Sequence, residues 1–134
     1  DTSSVTDMSR MFYHAFNFNQ SLDNFDTSSV TTMNKMFTQA DSFNQPLNNF
    51  DTSSVINMLG MFENTDNFNQ PLNSFDTSHV TNMDFMFIGA DNFNQNLTCW
   101  NVTNIASQPS GFAFGSPLDT NGMKPNWGSD GTSC

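Results

Sequence analysis

Residues 26–50 read DTSSVTTMNKMFTQADSFNQPLNNF, and residues 51–75 read DTSSVINMLGMFENTDNFNQPLNSF. The two blocks are identical at 16 of 25 positions without a gap; the opening DTSSV also stands at Asp1, and DTSHV stands at Asp76. A fixed period of this length is typical of a repeat solenoid, because one repeat cannot bury its apolar side chains until another stacks on it. The period therefore predicts the fold class before any local pattern is considered.

We predict a single solenoid domain over residues 1–105, followed by a C-terminal cap over residues 106–134. The repeats span 1–25, 26–50, 51–75 and 76–100, with a partial repeat at 101–105. The cap loses the period and is rich in Ser, Gly and Pro, yet it keeps enough apolar side chains to cover the last repeat. The chain opens directly on repeat sequence, so we expect it to be a portion of a longer protein.

The only two cysteines, Cys99 and Cys134, bracket the predicted cap. We expect a disulfide that pins the cap to the last repeat, worth about 3–4 kcal/mol in the chain-entropy model. The alternative is a pair of unrelated thiols. A structural disulfide would in turn favour an oxidising, extracellular setting.

Two apolar spacings recur within each repeat. From Val30 to Ala40 the apolar residues are three or four apart, which predicts a short α- or 3₁₀-helix. Around residues 49–52 apolar and polar residues alternate, which predicts a short strand. The Met and Phe residues that recur at the same place in each repeat are predicted to form the core.

Composition excludes two classes of partner. The chain has 3 basic and 13 acidic residues, giving a formal net charge of −10. Nucleic acid is excluded as a partner, because binding phosphate requires Lys and Arg to replace its counterions. The sequence also contains no apolar run long enough to span a membrane.

We predict no enzyme activity and no cofactor. His14 and His79 stand at different places in different repeats, with no nucleophile or glycine-rich elbow placed to use them. The sequence also lacks a phosphate-binding loop, a dinucleotide fingerprint and a Cys/His cluster with metal-ligand spacing.

An aspartate opens every repeat, at positions 1, 26, 51 and 76. Carboxylates stacked one above another repel, so each needs a compensating interaction. The simpler interpretation is an Asx-turn, in which each carboxylate accepts hydrogen bonds from the Thr-Ser-Ser backbone that follows it. The alternative is a calcium ladder, with Asp26, Asp51 and Asp76 as ligands beside Asn and Ser oxygens.

Two further polar columns are predicted to be structural. Asn19, Asn44, Asn69 and Asn94 repeat without change, and a buried amide can satisfy loop backbone and pair with its neighbours. The Thr and Ser residues beside the aspartates form a hydroxyl array that could bind ice. Ice binding is disfavoured, because capping of the adjacent turn already explains these residues.

The words FNQPLNNFDTSSV (43–55), followed by NMLGMF (57–62), resemble the BspA-like leucine-rich-repeat surface proteins of bacteria. The resemblance covers residues 1–105. It implies a right-handed, leucine-rich-repeat-like coil with one short strand and one short helical segment per repeat. It also implies surface exposure, with adhesion or partner recognition in place of enzyme chemistry.

The sequence thus predicts an extracellular or cell-surface domain that recognises a protein partner. Its predicted binding face is the outward side of the short strands, formed by Asn24, Asp26, Asn49, Asp51, Ser74 and Asp76. The helical side is chemically diverse, since Lys35, Gly60 and Phe85 share one column. A glycan-binding module, with or without calcium, and a structural spacer are the alternatives.

Overall fold

The computed structural model describes all residues, 1–134, and contains very little regular secondary structure. Its one helix is the 3₁₀-helix Pro117–Asp119. In place of strands it has three isolated parallel bridges, Asp7 with Thr32, Thr32 with Asn57, and Asn57 with Asn82. No helix in the structure is long and apolar enough to cross a membrane.

Hydrogen bonds between repeats organise the chain. In the second repeat the N–H groups of residues 33, 35, 37 and 39 donate to carbonyls 57, 59, 61 and 63 of the third, at 2.8–3.0 Å. The first and third repeats bond to their successors in the same register. We infer that the chain is a solenoid with one 25-residue coil per repeat, because a constant register of this kind superimposes the repeats.

The short helix predicted between Val30 and Ala40 is not formed; a run of tight turns takes its place. The N–H groups of Met36, Thr38 and Ala40 close turns onto the carbonyls three residues earlier, at 3.1, 3.3 and 2.9 Å. The residues between them donate to the next repeat. A helix would use every N–H within its own segment and leave none for stacking.

The short strand predicted around residues 49–52 is also absent, and a side chain explains why. The buried hydroxyl of Thr27 accepts the N–H of Asp51 at 2.8 Å and donates to the Asp51 carbonyl at 3.0 Å. Thr2 and Asp26 make the same pair of bonds. This threonine clamp joins neighbouring repeats where a strand would have used backbone alone. The parallel bridges lie elsewhere, in the column of Thr32 and Asn57.

Two columns of phenyl rings form the centre of the core. Between repeats the ring centroids of successive members lie 5.4–5.8 Å apart, and within a repeat the two rings are 4.1–4.3 Å apart. All these pairs are stacked nearly parallel. The columns are Phe12, Phe37, Phe62 and Phe87, and Phe18, Phe43, Phe68 and Phe93. The repeated Met residues pack around them, so the predicted core columns are found.

The predicted disulfide between Cys99 and Cys134 is confirmed. The repeat register continues beyond residue 105, however, because Phe85, Phe87 and Gly89 donate to carbonyls 110, 112 and 114 at 2.8–2.9 Å. Residues 101–116 therefore form most of a fifth coil. The remaining tail accepts hydrogen bonds from Leu97 of the fourth coil at carbonyl 123 and from Val102 of the fifth coil at carbonyl 129.

Removing one ring from the middle of the phenyl columns tests how far stability depends on them. Phe62 is fully buried and stacks on three other rings. We expect Phe62→Ala to lower the free energy of unfolding by about 3–5 kcal/mol, through lost transfer energy and the cavity left behind. Urea unfolding followed by tryptophan fluorescence measures this. Phe114→Ala, at a ring that is 70% exposed, is the control and should change little.

The threonine clamp can be tested without changing side-chain volume. Thr27→Val keeps the shape but leaves the N–H and carbonyl of Asp51 without their partner, so we expect a loss of about 1–3 kcal/mol in the same unfolding measurement. Thr27→Ser keeps the hydroxyl and should recover most of the difference. Equal free energies of unfolding for the Val and Ser variants would show that the hydroxyl does not contribute to stability.

Candidate recognition surface

The six residues of the predicted binding face, Asn24, Asp26, Asn49, Asp51, Ser74 and Asp76, are all solvent-exposed, on turns and short irregular segments. The Asp51 carboxylate accepts the N–H of Ser53 at 3.0 Å and its hydroxyl at 2.6 Å. Asp26 and Ser28 are arranged in the same way. These bonds hold the pKa of both carboxylates below the ordinary value.

This geometry favours the Asx-turn interpretation of the aspartates over the calcium ladder. One carboxylate oxygen of Asp26, Asp51 and Asp76 accepts hydrogen bonds from the serine two residues later. These bonds compensate the repulsion between the carboxylates, since hydrogen bonds to a carboxylate favour its ionised form. No group of three or more His, Cys, Asp or Glu side chains lies together in an arrangement for a metal. Calcium binding stays a prediction of the sequence.

The asparagine column links the repeats at the surface. Asn69 Oδ1 accepts the N–H of Asn94 at 3.0 Å and the Gln95 side-chain amide at 2.8 Å. The same two bonds occur one repeat earlier, on Asn44. At the end of the column the side-chain amide of Asn121, in the tail, donates to Asn94 Oδ1 at 2.6 Å. Contrary to the predicted burial, the column is exposed or, at Asn44, half-buried, because its amides cover the outer edge of the coil.

The hydroxyl array considered for ice binding is not an exposed grid. Thr27, Thr52 and Thr77 are buried. Their hydroxyls donate to the carbonyl of the residue that opens the next repeat, at 2.8–3.0 Å. Ordered water therefore has no access to half of the array on which that interpretation depended.

Variation between repeats is concentrated at four positions, which include the column of Lys35, Gly60 and Phe85 that the sequence marks as diverse. Positions 9, 10, 13 and 14 of the repeat are the only ones occupied by a different residue type in all four copies. We call the surface that they form the turn face. Its members are Ser9, Arg10, Tyr13, His14; Asn34, Lys35, Thr38, Gln39; Leu59, Gly60, Glu63, Asn64; and Asp84, Phe85, Ile88, Gly89.

The backbone of the turn face is left-handed at positions 10 and 14. All six non-glycine residues with positive φ lie there: Arg10, His14, Lys35, Gln39, Asn64 and Phe85, with φ between 51° and 59°. Glycine occupies the same positions in other coils, at Gly60 and Gly89. Since a side chain in this conformation costs about 1–3 kcal/mol, glycine would be the choice for folding alone.

Side chains of the turn face contact one another across coils. Lys35 Nζ lies 3.3 Å from Glu63 Oε2, and the Phe85 ring packs over Gly111 of the fifth coil, where a Cβ would be 2.7 Å from its Cδ1. Arg10 lies over the Tyr13 ring at 5.8 Å. These contacts join the second coil to the third and the fourth coil to the fifth, whereas Thr38 and Gly60 of the turn face are buried. Phe114, which occupies position 13 of the fifth coil, extends the turn face with a ring that is 70% exposed.

A second acidic column lies after the turns, formed by Asp41, Asp66 and Asp91. Partial burial and the two neighbouring carboxylates raise the pKa of Asp66 above the ordinary value. The backbone carbonyl of Asp66 accepts the N–H and the side-chain amide of Asn92 at 3.1 and 2.8 Å. The stacked backbone thus holds together three carboxylates that repel one another.

Comparison with known proteins identifies one family. The sequence profile of the family described as "Mycoplasma protein of unknown function, DUF285" matches residues 1–100 and, in a second, overlapping match, residues 47–127. This match is compatible with the resemblance to BspA-like repeat proteins. None of the curated proteins matches the chain, and none of the solved structures does.

Two carboxylates should respond to pH with opposite signs. The lowered pKa of Asp51 means that its contribution to stability is present above the ordinary Asp pKa and is lost as the pH falls through the folded-state value. The raised pKa of Asp66 means that its contribution is present in acid and is lost as the pH rises.

We therefore expect Asp66→Asn to raise the melting temperature at neutral pH and Asp51→Asn to lower it. Both differences should shrink in acid, where the wild-type carboxylates are protonated. Melting curves by calorimetry across the acid range measure this. A stabilising effect of Asp66→Asn that persists unchanged in acid would show that charge repulsion is not its cause.

Proposed function

Since the chain belongs to the family described as Mycoplasma protein of unknown function, DUF285, its role must be argued from its own surfaces. We propose that it is a non-catalytic, extracellular repeat domain that recognises a protein partner, as in adhesion. The resemblance to the BspA-like leucine-rich-repeat surface proteins supports this proposal. The disulfide supports an oxidising location outside the cell.

The turn face is the observation that carries the proposal. Positions that maintain stacking, such as the threonine clamp, are the same in every repeat, whereas the turn face changes completely from one repeat to the next. Side chains stand there at six left-handed positions despite the cost of that conformation. A surface that varies between repeats and carries side chains against backbone strain has the properties of a recognition site.

Charge distribution separates the turn face from the rest of the surface. Its four positions carry two basic and two acidic side chains in the first four repeats, whereas the whole chain has 3 basic and 13 acidic residues. The remaining surface is therefore strongly negative and repels acidic macromolecules. A protein partner meets the turn face without that repulsion and finds exposed rings at Tyr13, Phe85 and Phe114 as anchors.

The predicted Asp and Asn face remains the second site for the same function. Its residues are exposed and regularly spaced, so they offer a series of acceptors to a basic partner. Glycan binding is the alternative function. Of the tryptophans that could have formed a sugar platform, Trp100 is buried on Phe75 and Trp127 packs edge-on against Phe112. The exposed rings open to a glycan are instead those of Tyr13, Phe16, Phe85 and Phe114.

Two matched variants decide between the surfaces. The turn-face variant combines Tyr13→Ser, Phe85→Ser and Phe114→Ser; the Asp-face variant combines Asp26→Asn, Asp51→Asn and Asp76→Asn, which keeps an acceptor in each Asx-turn. Binding to a panel of immobilised extracellular-matrix proteins is measured by biolayer interferometry. We expect the turn-face variant to lose about tenfold or more in affinity, and the Asp-face variant to bind like wild type.

The reverse result would move the site to the Asp face. Unfolding curves of both variants serve as the control for folding. If wild-type protein binds no protein of the panel but binds a glycan array, with calcium or after chelation, the protein-recognition proposal fails and the glycan alternative replaces it.

A further inference from the structure

The junction between the fourth and fifth coils lacks hydrogen bonds that the three earlier junctions share. In those junctions the residue at position 6 donates to the carbonyl at position 6 of the preceding coil, as Thr81 does to Ile56 at 2.9 Å. The residue at position 8 donates to the following coil, as Met58 does to Asn82 at 2.9 Å. At the last junction the Thr81 carbonyl and the Met83 N–H have no hydrogen-bond partner in the protein.

An inserted residue accounts for this difference. The segment from Ile105 to Ser110 spans one residue more than the equivalent segment from Val80 to Asp84. Pro109 within it has no N–H to donate. The regular register returns at Ser110, whose N–H donates to the Asp84 carboxylate at 2.8 Å. Residues 106–109 therefore bow away from the fourth coil.

A cleft of about 540 Å³ opens between the two coils. This volume lies within the range of ordinary ligand sites. One wall carries Thr81, Asn82 and Asp84, and the other carries Ser107 and Gln108. Met83 also lines the cleft, so the unpaired N–H belongs to a buried residue of its wall and the unpaired carbonyl, of Thr81, to an exposed one.

We propose that this cleft binds an extended segment of a partner polypeptide, which completes the interrupted bridge column. The proposal rests on protein recognition as the function and specifies a site for it beside the turn face. A polypeptide offers what is missing: one residue presents its carbonyl to the Met83 N–H, and the residue before it presents its N–H to the Thr81 carbonyl. The same parallel pairing joins Asn57 to Asn82 one coil earlier.

The side chains of the cleft fit this occupant. The lining is mostly polar, with hydroxyl, amide and carboxylate groups that suit the main chain of a peptide and small polar side chains. The Asp84 carboxylate adds negative charge at the edge next to Phe85. We therefore expect bound segments to carry a basic or neutral residue at that end and no acidic one.

The test uses the full, oxidised chain and a phage-displayed library of random heptapeptides. Selection on wild type is combined with counter-selection on Ser107→Trp, which fills the cleft from an exposed position; Ser54→Trp, also exposed, is the matched control. Synthetic peptides from the enriched pool are then titrated into ¹⁵N-labelled protein. We expect shifts of the Thr81, Met83 and Ser110 amide signals, and binding that survives Ser54→Trp.

An N-methyl scan of the bound peptide gives the sharper result. Methylation at the single residue that donates to Thr81 should weaken binding about tenfold, whereas methylation at its two neighbours should matter less. The proposal is overturned by an empty selection, by peptides that bind Ser107→Trp equally well, or by neutral disaccharides that shift these amides when no peptide does.

If the cleft binds no peptide, the turn face is still available as a binding site, because Tyr13 and Phe114 do not line the cleft. Conversely, matrix-protein binding that is lost in Ser107→Trp but kept in the turn-face variant would retain the cleft and remove the turn face.

Discussion

Alternate backbone N–H groups along the turns, at positions 8, 10, 12 and 14, donate to carbonyls of the next coil. The rest of the structure depends on this use of every second N–H group. The remaining N–H groups can reach only carbonyls three residues back, so the chain between Met33 and Ala40 folds as consecutive turns. Such turns require left-handed residues at fixed intervals, which places positive φ at positions 10 and 14 of every coil. The phenyl columns and the threonine clamp follow from the same 25-residue register.

Stacking explains which positions can change. The Phe37 ring stacks on Phe12 and on Phe62, so a substitution there disturbs two junctions at once, and the Thr27 hydroxyl bonds to Asp51 across one junction. Side chains at positions 10 and 14 lie outside that core and are limited by their left-handed backbone and by the side chains of the neighbouring coil, such as Asn64 beside Gly89. Recognition and folding are thus assigned to different positions of one repeat. The interrupted junction beside Asp84 is the exception, where a change in stacking itself produces a cavity.

Much of this architecture could be predicted from the sequence. The period, the Met and Phe core columns and the Cys99–Cys134 bond follow from residue spacing and cysteine count. The local structure could not be predicted in the same way, because apolar residues three and four apart suit consecutive turns as well as a helix. The left-handed backbone at positions 10 and 14 could not be predicted, because residues such as Arg10, Lys35 and Phe85 rarely adopt it. Only Gly60 and Gly89 are of the residue type that indicates such a conformation. The cleft depends on one inserted residue near Pro109, which local patterns do not distinguish from the cap.

The rotation of one ring at the end of the phenyl columns has a consequence for solubility. Parallel stacked rings and unpaired backbone form a surface onto which further copies of the same repeat could add, as in a fibril. Phe112 instead meets Phe87 edge-on at 81°, and Trp127 meets Phe112 edge-on at 84°. A further repeat at this end would meet ring edges and a disulfide-held tail, so the fifth coil does not present the flat stacked face that the earlier coils present to one another.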